Sequence, residues 1–223
     1  MTTKKQIKQL LEAVASRHDD LIVRGPFIVL APLQHVLRSI SIDRSWNADY
    51  PRFYWHIGHA FNPTGSLQGL CPDIFWLPKE GPRFWSDSGF TEAVVETLER
   101  RILPMLRRVR SIEDMFRVEG EPRSYEYDNW LNHYEPYQIH MHAAFGRFDE
   151  AAVVYEKIKD WHLMMKNGRQ PEFKYASQLG ALVAAQDREA VVSLLHDWEE
   201  DFARRKDLLP IYERTPFPLE LQP

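Results

Sequence analysis

Three groups of side chains in this sequence have types and spacings that bear on chemistry. The first is the lone thiol, Cys71, with His56 and His59. Cysteine–histidine catalysis needs an imidazole within hydrogen-bond reach of the sulfur and an oxyanion hole, commonly backbone N–H groups at a helix N-terminus. Cys71 instead precedes Pro72 and a short apolar run, so no helix terminus follows to lower its pKa. Its expected role is that of a small buried hydrophobe. His56 and His59 are three apart in an alternating segment, which places their rings on opposite faces of a strand. His140 and His142 are two apart, whereas helical neighbours are three or four apart. His133 and His140 are separated by Pro136. No metal site is expected. Nor is a cofactor, since no phosphate loop, dinucleotide fingerprint or nucleophile elbow occurs. A small hydrolase using His56, His59 and Cys71 on the polar face of a sheet is the enzymatic alternative.

The second group is a run of arginines: Arg100, Arg101, Arg107, Arg108, Arg110 and Arg117. Nucleic-acid binding favours a basic stripe interleaved with aromatics. Here Glu92, Glu96, Glu99, Glu113 and Glu119 dilute the stripe, and the overall pI is about 6.1. A solvated helix face is the expected reading, with nucleic-acid binding as an alternative.

The third group is the segment from Tyr125 to Tyr137. Tyr125, Tyr127, Trp130, Tyr134 and Tyr137 fall within thirteen residues, beside Glu126, Asp128 and Glu135 and with no Lys or Arg. Tyr and Trp supply rigid contact area with a polar handle and dominate interface hot spots. Carboxylates among them steer and hold a cationic partner. The candidate protein-binding residues are therefore Tyr125, Tyr127, Asp128, Trp130, Tyr134, Glu135 and Tyr137. The competing expectation is that the aromatics join the segment to the first helices after it while the carboxylates face water.

The elements that must position these groups follow from periodicity. Thr3 caps a first helix to about His18, with Ile7, Leu10, Leu11 and Val14 on one face. Leu21–Arg24 and Phe27–Leu30 are β-rich runs split by Gly25-Pro26. Further strands are expected over 35–43, 52–61 and 73–77. The connections are too short for crossover helices, so the sheet is expected to be antiparallel. Ser88 is expected to start a helix to about Arg110, kinked or broken near Leu103 by Pro104. Ser111-Ile-Glu-Asp114 resembles a capping box opening one more short helix. Val118-Glu-Gly-Glu-Pro122 marks a boundary, and no strand is expected beyond it. The fold class is α+β: an N-terminal antiparallel sheet with flanking helices over 1–120, followed by α-helical hairpins over 121–223.

Composition fits this reading. Of 223 residues, 44% are hydrophobic and 27% charged, far from a disordered chain. A single cysteine excludes an internal disulfide framework and suits a reducing compartment. The N-terminus lacks the apolar core of a signal peptide, and no apolar run approaches the roughly 18 residues of a membrane span. A cytoplasmic protein without membrane contact is expected. Charge divides unevenly: residues 1–118 carry 16 Lys/Arg against 13 Asp/Glu, whereas residues 119–223 carry 12 against 19. That asymmetry bears on partners rather than on fold.

Within the second half, Asp149-Glu-Ala-Ala-Val-Val154 aligns with Asp187-Arg-Glu-Ala-Val-Val192 at an offset of 38 residues. The offset also superposes Ala143 on Ala181 and Gly146 on Ala184, and it places Asp149 and Asp187 as matching caps. A period of this length is typical of stacked helical hairpins. Ala143-Ala-Phe-Gly-Arg-Phe-Asp-Glu-Ala151 resembles the turn between the two helices of a tetratricopeptide repeat. The second copy departs from that pattern, with Ala184 for the Gly and Glu189 for the Ala. The resemblance covers about 70 residues and implies a protein- or peptide-binding array. The whole element order also looks like that of small uncharacterised bacterial proteins, including immunity proteins encoded beside polymorphic toxins. That likeness implies a non-catalytic protein that neutralises a toxin by binding it, the partner being a basic protein such as a toxin domain.

Overall fold

The computed structural model describes residues 2–67, 71–115, 134–160 and 171–222, with side chains omitted at 71–73. It has an α+β fold with two compact units, Met1–His59 with Ser66–Arg123, and Ala60–Gly65 with Ser124–Pro223. The second unit therefore includes six residues from the β4–β5 connection of the first.

In the first unit, α1 (Lys4–Ala15) opens on a reciprocal capping box. The Gln6 N–H donates to Thr3 Oγ1, and Gln6 Oε1 accepts from the Thr3 N–H. Its buried stripe is Ile7, Leu10, Leu11 and Val14, the 3–4 spacing visible in the sequence. Burying a leucine such as Leu11 completely contributes about 2 kcal/mol. Five strands follow: β1 (Leu21–Arg24), β2 (Phe27–Leu30), β3 (Val36–Arg44), β4 (Pro51–His59) and β5 (Cys71–Phe75). They form an antiparallel meander in sequence order. Register and alternation assign Ile28, Leu30, Ile40, Ile42, Phe53, Trp55, Ile57 and Phe75 to one face, where all are buried. α1 packs against β1 and β2.

The second helical stretch starts two residues later than Ser88. The Asp87 carboxylate accepts the N–H groups of Arg83 and Phe84, which closes a turn, and Gly89 then takes φ +79° before α2 (Phe90–Thr97). Pro104 neither breaks nor sharply ends the helix. A π turn over Leu98–Ile102 carries the chain into α3 (Leu103–Arg108), with the Leu103 N–H reaching back to the Leu98 carbonyl. One extra residue in the turn accommodates the proline ring and its missing donor. Asp114 accepts from the N–H of Ser111, whose hydroxyl accepts from the Asp114 N–H, and this box opens α4 (Ile112–Met115).

The second unit contains two helical hairpins, α5 (Glu135–Ala144) with α6 (Phe148–Ile158), and α7 (Pro171–Ala184) with α8 (Arg188–Arg205). Both α5 and α6 pack against α7, so the second hairpin stacks on the first. At Gly180 a Cβ would overlap the Tyr155 ring, so α7 approaches α6 closely there.

The two hairpins close with the same backbone pattern at an offset of 40 residues rather than 38. Gly146 (φ +70°) and Gln186 (φ +55°) occupy the equivalent left-handed position after α5 and α7. The Arg147 N–H reaches the His142 carbonyl and the Asp187 N–H reaches that of Leu182, the same Schellman closure in each turn. The N-caps are therefore Arg147 and Asp187, and Asp149 lies inside the first turn of α6. This frame also matches the core: Ile139 with Leu179, Ala143 with Val183, Ala151 with Val191, all fully buried. The 38-residue alignment failed because it matched residue identities, whereas the turn is defined by a backbone conformation that Gln186 adopts without being glycine.

Candidate functional site

Tyr125, Tyr127, Asp128 and Trp130 lie outside the described residues. Tyr134, Glu135 and Tyr137 sit at the start of α5. Tyr137 is buried, and its ring meets Tyr134 edge-on at 4.8 Å. Tyr134 in turn meets Phe173 of α7 at 5.8 Å. These rings therefore join the first helix of one hairpin to the first helix of the next. Tyr134 remains half exposed, and so do Glu135 and Glu172. Desolvation raises the Tyr134 phenol pKa, and the charges of Glu172 and Glu135 add to the shift. The structure thus brings a half-exposed tyrosine and two carboxylates together at the N-termini of α5 and α7. Helix dipoles favour acidic groups there. Glu172 was not singled out from sequence; it is 37 positions from Glu135, and only the stacking of hairpins unites them.

The histidines are held in other ways. Cross-strand register pairs His56 with Ser39 and His59 with Val36, on opposite faces of β4. His56 Nε2 lies 2.8 Å from Ser41 Oγ, between the rings of Phe27 and Tyr54. Both Ser41 and His56 are buried, so the pair satisfies polar groups on the second face of the sheet. Cys71 pairs with Ile57 in backbone register, and its side chain lies outside the described residues. No described group of three or more His, Cys, Asp or Glu side chains is arranged to hold a metal ion. His140 is buried against Tyr137 and Trp198, and burial pushes its pKa down to about 3. In α8, His196 Nε2 lies 2.8 Å from Glu220 Oε2, which also accepts the Phe217 N–H. The fully buried Glu199 accepts the Tyr212 hydroxyl at 3.2 Å. This network fastens the C-terminal segment onto α8.

No known protein family, curated protein or solved structure matches this chain.

The arginine run is dispersed. Arg100 pairs with Glu96, Arg101 donates to the Trp76 carbonyl, and Arg107 forms a two-pronged ion pair with Asp20. Arg117 lies outside the described residues. Arg38 joins Arg107 and Arg110 around one cavity. Sequence did carry a signal for Arg38: its parity in β3 is that of Ile40 and Ile42, so an alternating strand puts it on the apolar face. Two exposed tryptophans lie outside the three groups visible in the sequence. Trp46 is 90% exposed, and Trp76, 57% exposed, stacks on Tyr50, over which Arg83 lies. No described helix is long and apolar enough to cross a membrane.

Proposed function

We propose that this protein is a non-catalytic, protein-binding protein of the cytoplasm, in its most concrete form a bacterial immunity protein that neutralises a toxin. The surface is the acidic, aromatic segment leading into and including the start of α5: Tyr125, Tyr127, Asp128, Trp130, Tyr134 and Glu135, with the buried Tyr137 behind it as the ring on which Tyr134 rests. The observation that carries this reading is the cluster of half-exposed Tyr134, Glu135 and Glu172 on stacked hairpins. Stacked helical hairpins present side chains from successive helices as one continuous surface. Here that surface combines an aromatic anchor with carboxylates that have no ion-pair partner among the described residues, suited to a basic partner such as a nuclease toxin domain. The excess of acidic residues over 119–223 supplies longer-range attraction of the same sign.

The test is a pull-down with the protein encoded by the neighbouring gene, comparing the wild type with a variant carrying Asp128→Lys, Trp130→Ala and Glu135→Lys. Loss of capture by a folded triple variant is the expected result. Undiminished capture removes this surface from the interaction.

A further inference from the structure

The first unit contains a cavity of about 440 Å³ lined by Asp20, Ala31, Pro32, Val36 and the guanidinium groups of Arg38, Arg107 and Arg110. Arg38 is only 6% exposed. Its Nη2 donates to the Pro32 carbonyl at 2.7 Å, and its buried Nε has no hydrogen-bond partner among the described residues. Arg107 is committed to Asp20 through two contacts of 2.8 and 2.7 Å. Arg110 uses Nε on the Arg107 carbonyl, leaving its two terminal nitrogens without an acidic partner among the described residues. Three positive charges therefore face one negative charge. Desolvation and the nearby Arg110 act against the charge on Arg38, and Asp20, already engaged by Arg107, only partly offsets them.

A buried guanidinium held without a counter-ion is costly, and a charge of opposite sign at hydrogen-bond distance relieves that cost. Arginine forks match the paired oxygens of carboxylates and phosphates alike, so the net charge of the site decides between them. We propose that this cavity is a binding site for a small molecule bearing a phosphate monoester. Arg38 and Arg110 are its ligands, and Asp20 holds Arg107 in position beside them. The local excess of two positive charges matches a dianion rather than a carboxylate. The cavity is also roomier than a bare phosphate requires, and Ala31, Pro32 and Val36 form an apolar wall for the organic part. This site is independent of the acidic surface proposed for protein binding, so either survives failure of the other.

The experiment is calorimetric titration of the full-length protein with inorganic phosphate, phenyl phosphate and acetate at matched ionic strength. Saturable binding of both phosphates, tighter for phenyl phosphate and absent for acetate, is expected. Binding of inorganic phosphate alone would place the free anion in the site and overturn the monoester assignment. Arg110→Gln changes an exposed side chain and should fold normally while weakening phosphate binding by about tenfold or more. Arg38→Met should abolish binding; if that variant does not fold, Arg110→Gln decides. Absence of saturable phosphate binding by the wild type, or unchanged affinity in Arg110→Gln, overturns the proposal.

Discussion

A histidine enclosed by apolar rings is a latent acid sensitivity. His140 is buried against Tyr137 and Trp198, and burial alone depresses its pKa to about 3, from an ordinary value of 6.5. The folded protein therefore holds His140 neutral at every pH above about 3. The unfolded chain takes up a proton below about 6.5. Between those values the unfolded state binds more protons, so stability rises with pH and is lost as pH falls from 6.5 towards 3. The slope from this one group approaches roughly 1.4 kcal/mol per pH unit once the unfolded histidine is charged. His140→Phe keeps an aromatic ring without the proton site. Urea denaturation at pH 7 and pH 5 should show a smaller loss in the variant than in the wild type. Equal losses would mean that His140 is reached by solvent or charged in the folded protein.

At the scale of elements, the two hairpins close in the same way but are capped differently. Asp187 accepts the Ala190 N–H at 3.1 Å and satisfies one orphan donor of α8. Arg147 holds the equivalent position before α6 and makes no side-chain cap. Asp149 lies within the first turn, where only its charge acts favourably on the helix. Asp187→Ala should therefore cost about 1 kcal/mol. Asp149→Ala should cost no more than a few tenths. Thermal or urea unfolding of both variants measures the difference; equal losses would restore the 38-residue frame. The error in that frame shows where sequence legibility ends. Periodicity located α1 and the meander of five strands, because buried stripes repeat at 3.6 or 2 residues whatever the identities, whereas the two C-terminal hairpins were read from matching residue identities. The left-handed residue in each turn was harder to find, because Gly146 announces it and Gln186 does not. Similarly, the π turn at Leu98–Ile102 leaves no mark in the hydrophobic pattern, and Pro104 alone suggested a break. The candidate cluster was half legible: Tyr134 and Glu135 were identified by local composition, whereas Glu172 and the Arg38 cavity depend on tertiary packing.

For the molecule as a whole, the informative boundary is not the one a linear reading supplies. A division at 120/121 leaves Ala60–Gly65 with the sheet, whereas these residues pack within the helical unit. Phe61 is fully buried there and meets Phe217 edge-on at 5.1 Å. Arg205 Nη2 donates to the Pro63 carbonyl at 2.9 Å. A Cβ at Gly65 would lie 3.0 Å from the Phe202 ring. A fragment beginning at residue 121 would thus uncover Phe202 and Phe217, two of the largest buried rings of that unit. In the full chain, Phe61→Ala removes the ring and leaves a cavity beside Phe217, a change that costs about 3–5 kcal/mol in a tightly packed core. The loss belongs to the helical unit, although the substitution lies between two strands in sequence. Amide hydrogen exchange can locate it. In the Phe61→Ala variant, amides of α8 and of Phe217–Leu221 should exchange faster, by more than those of the β1–β2 hairpin. Acceleration confined to β4 and β5 would mean that Ala60–Gly65 contributes nothing to the helical core.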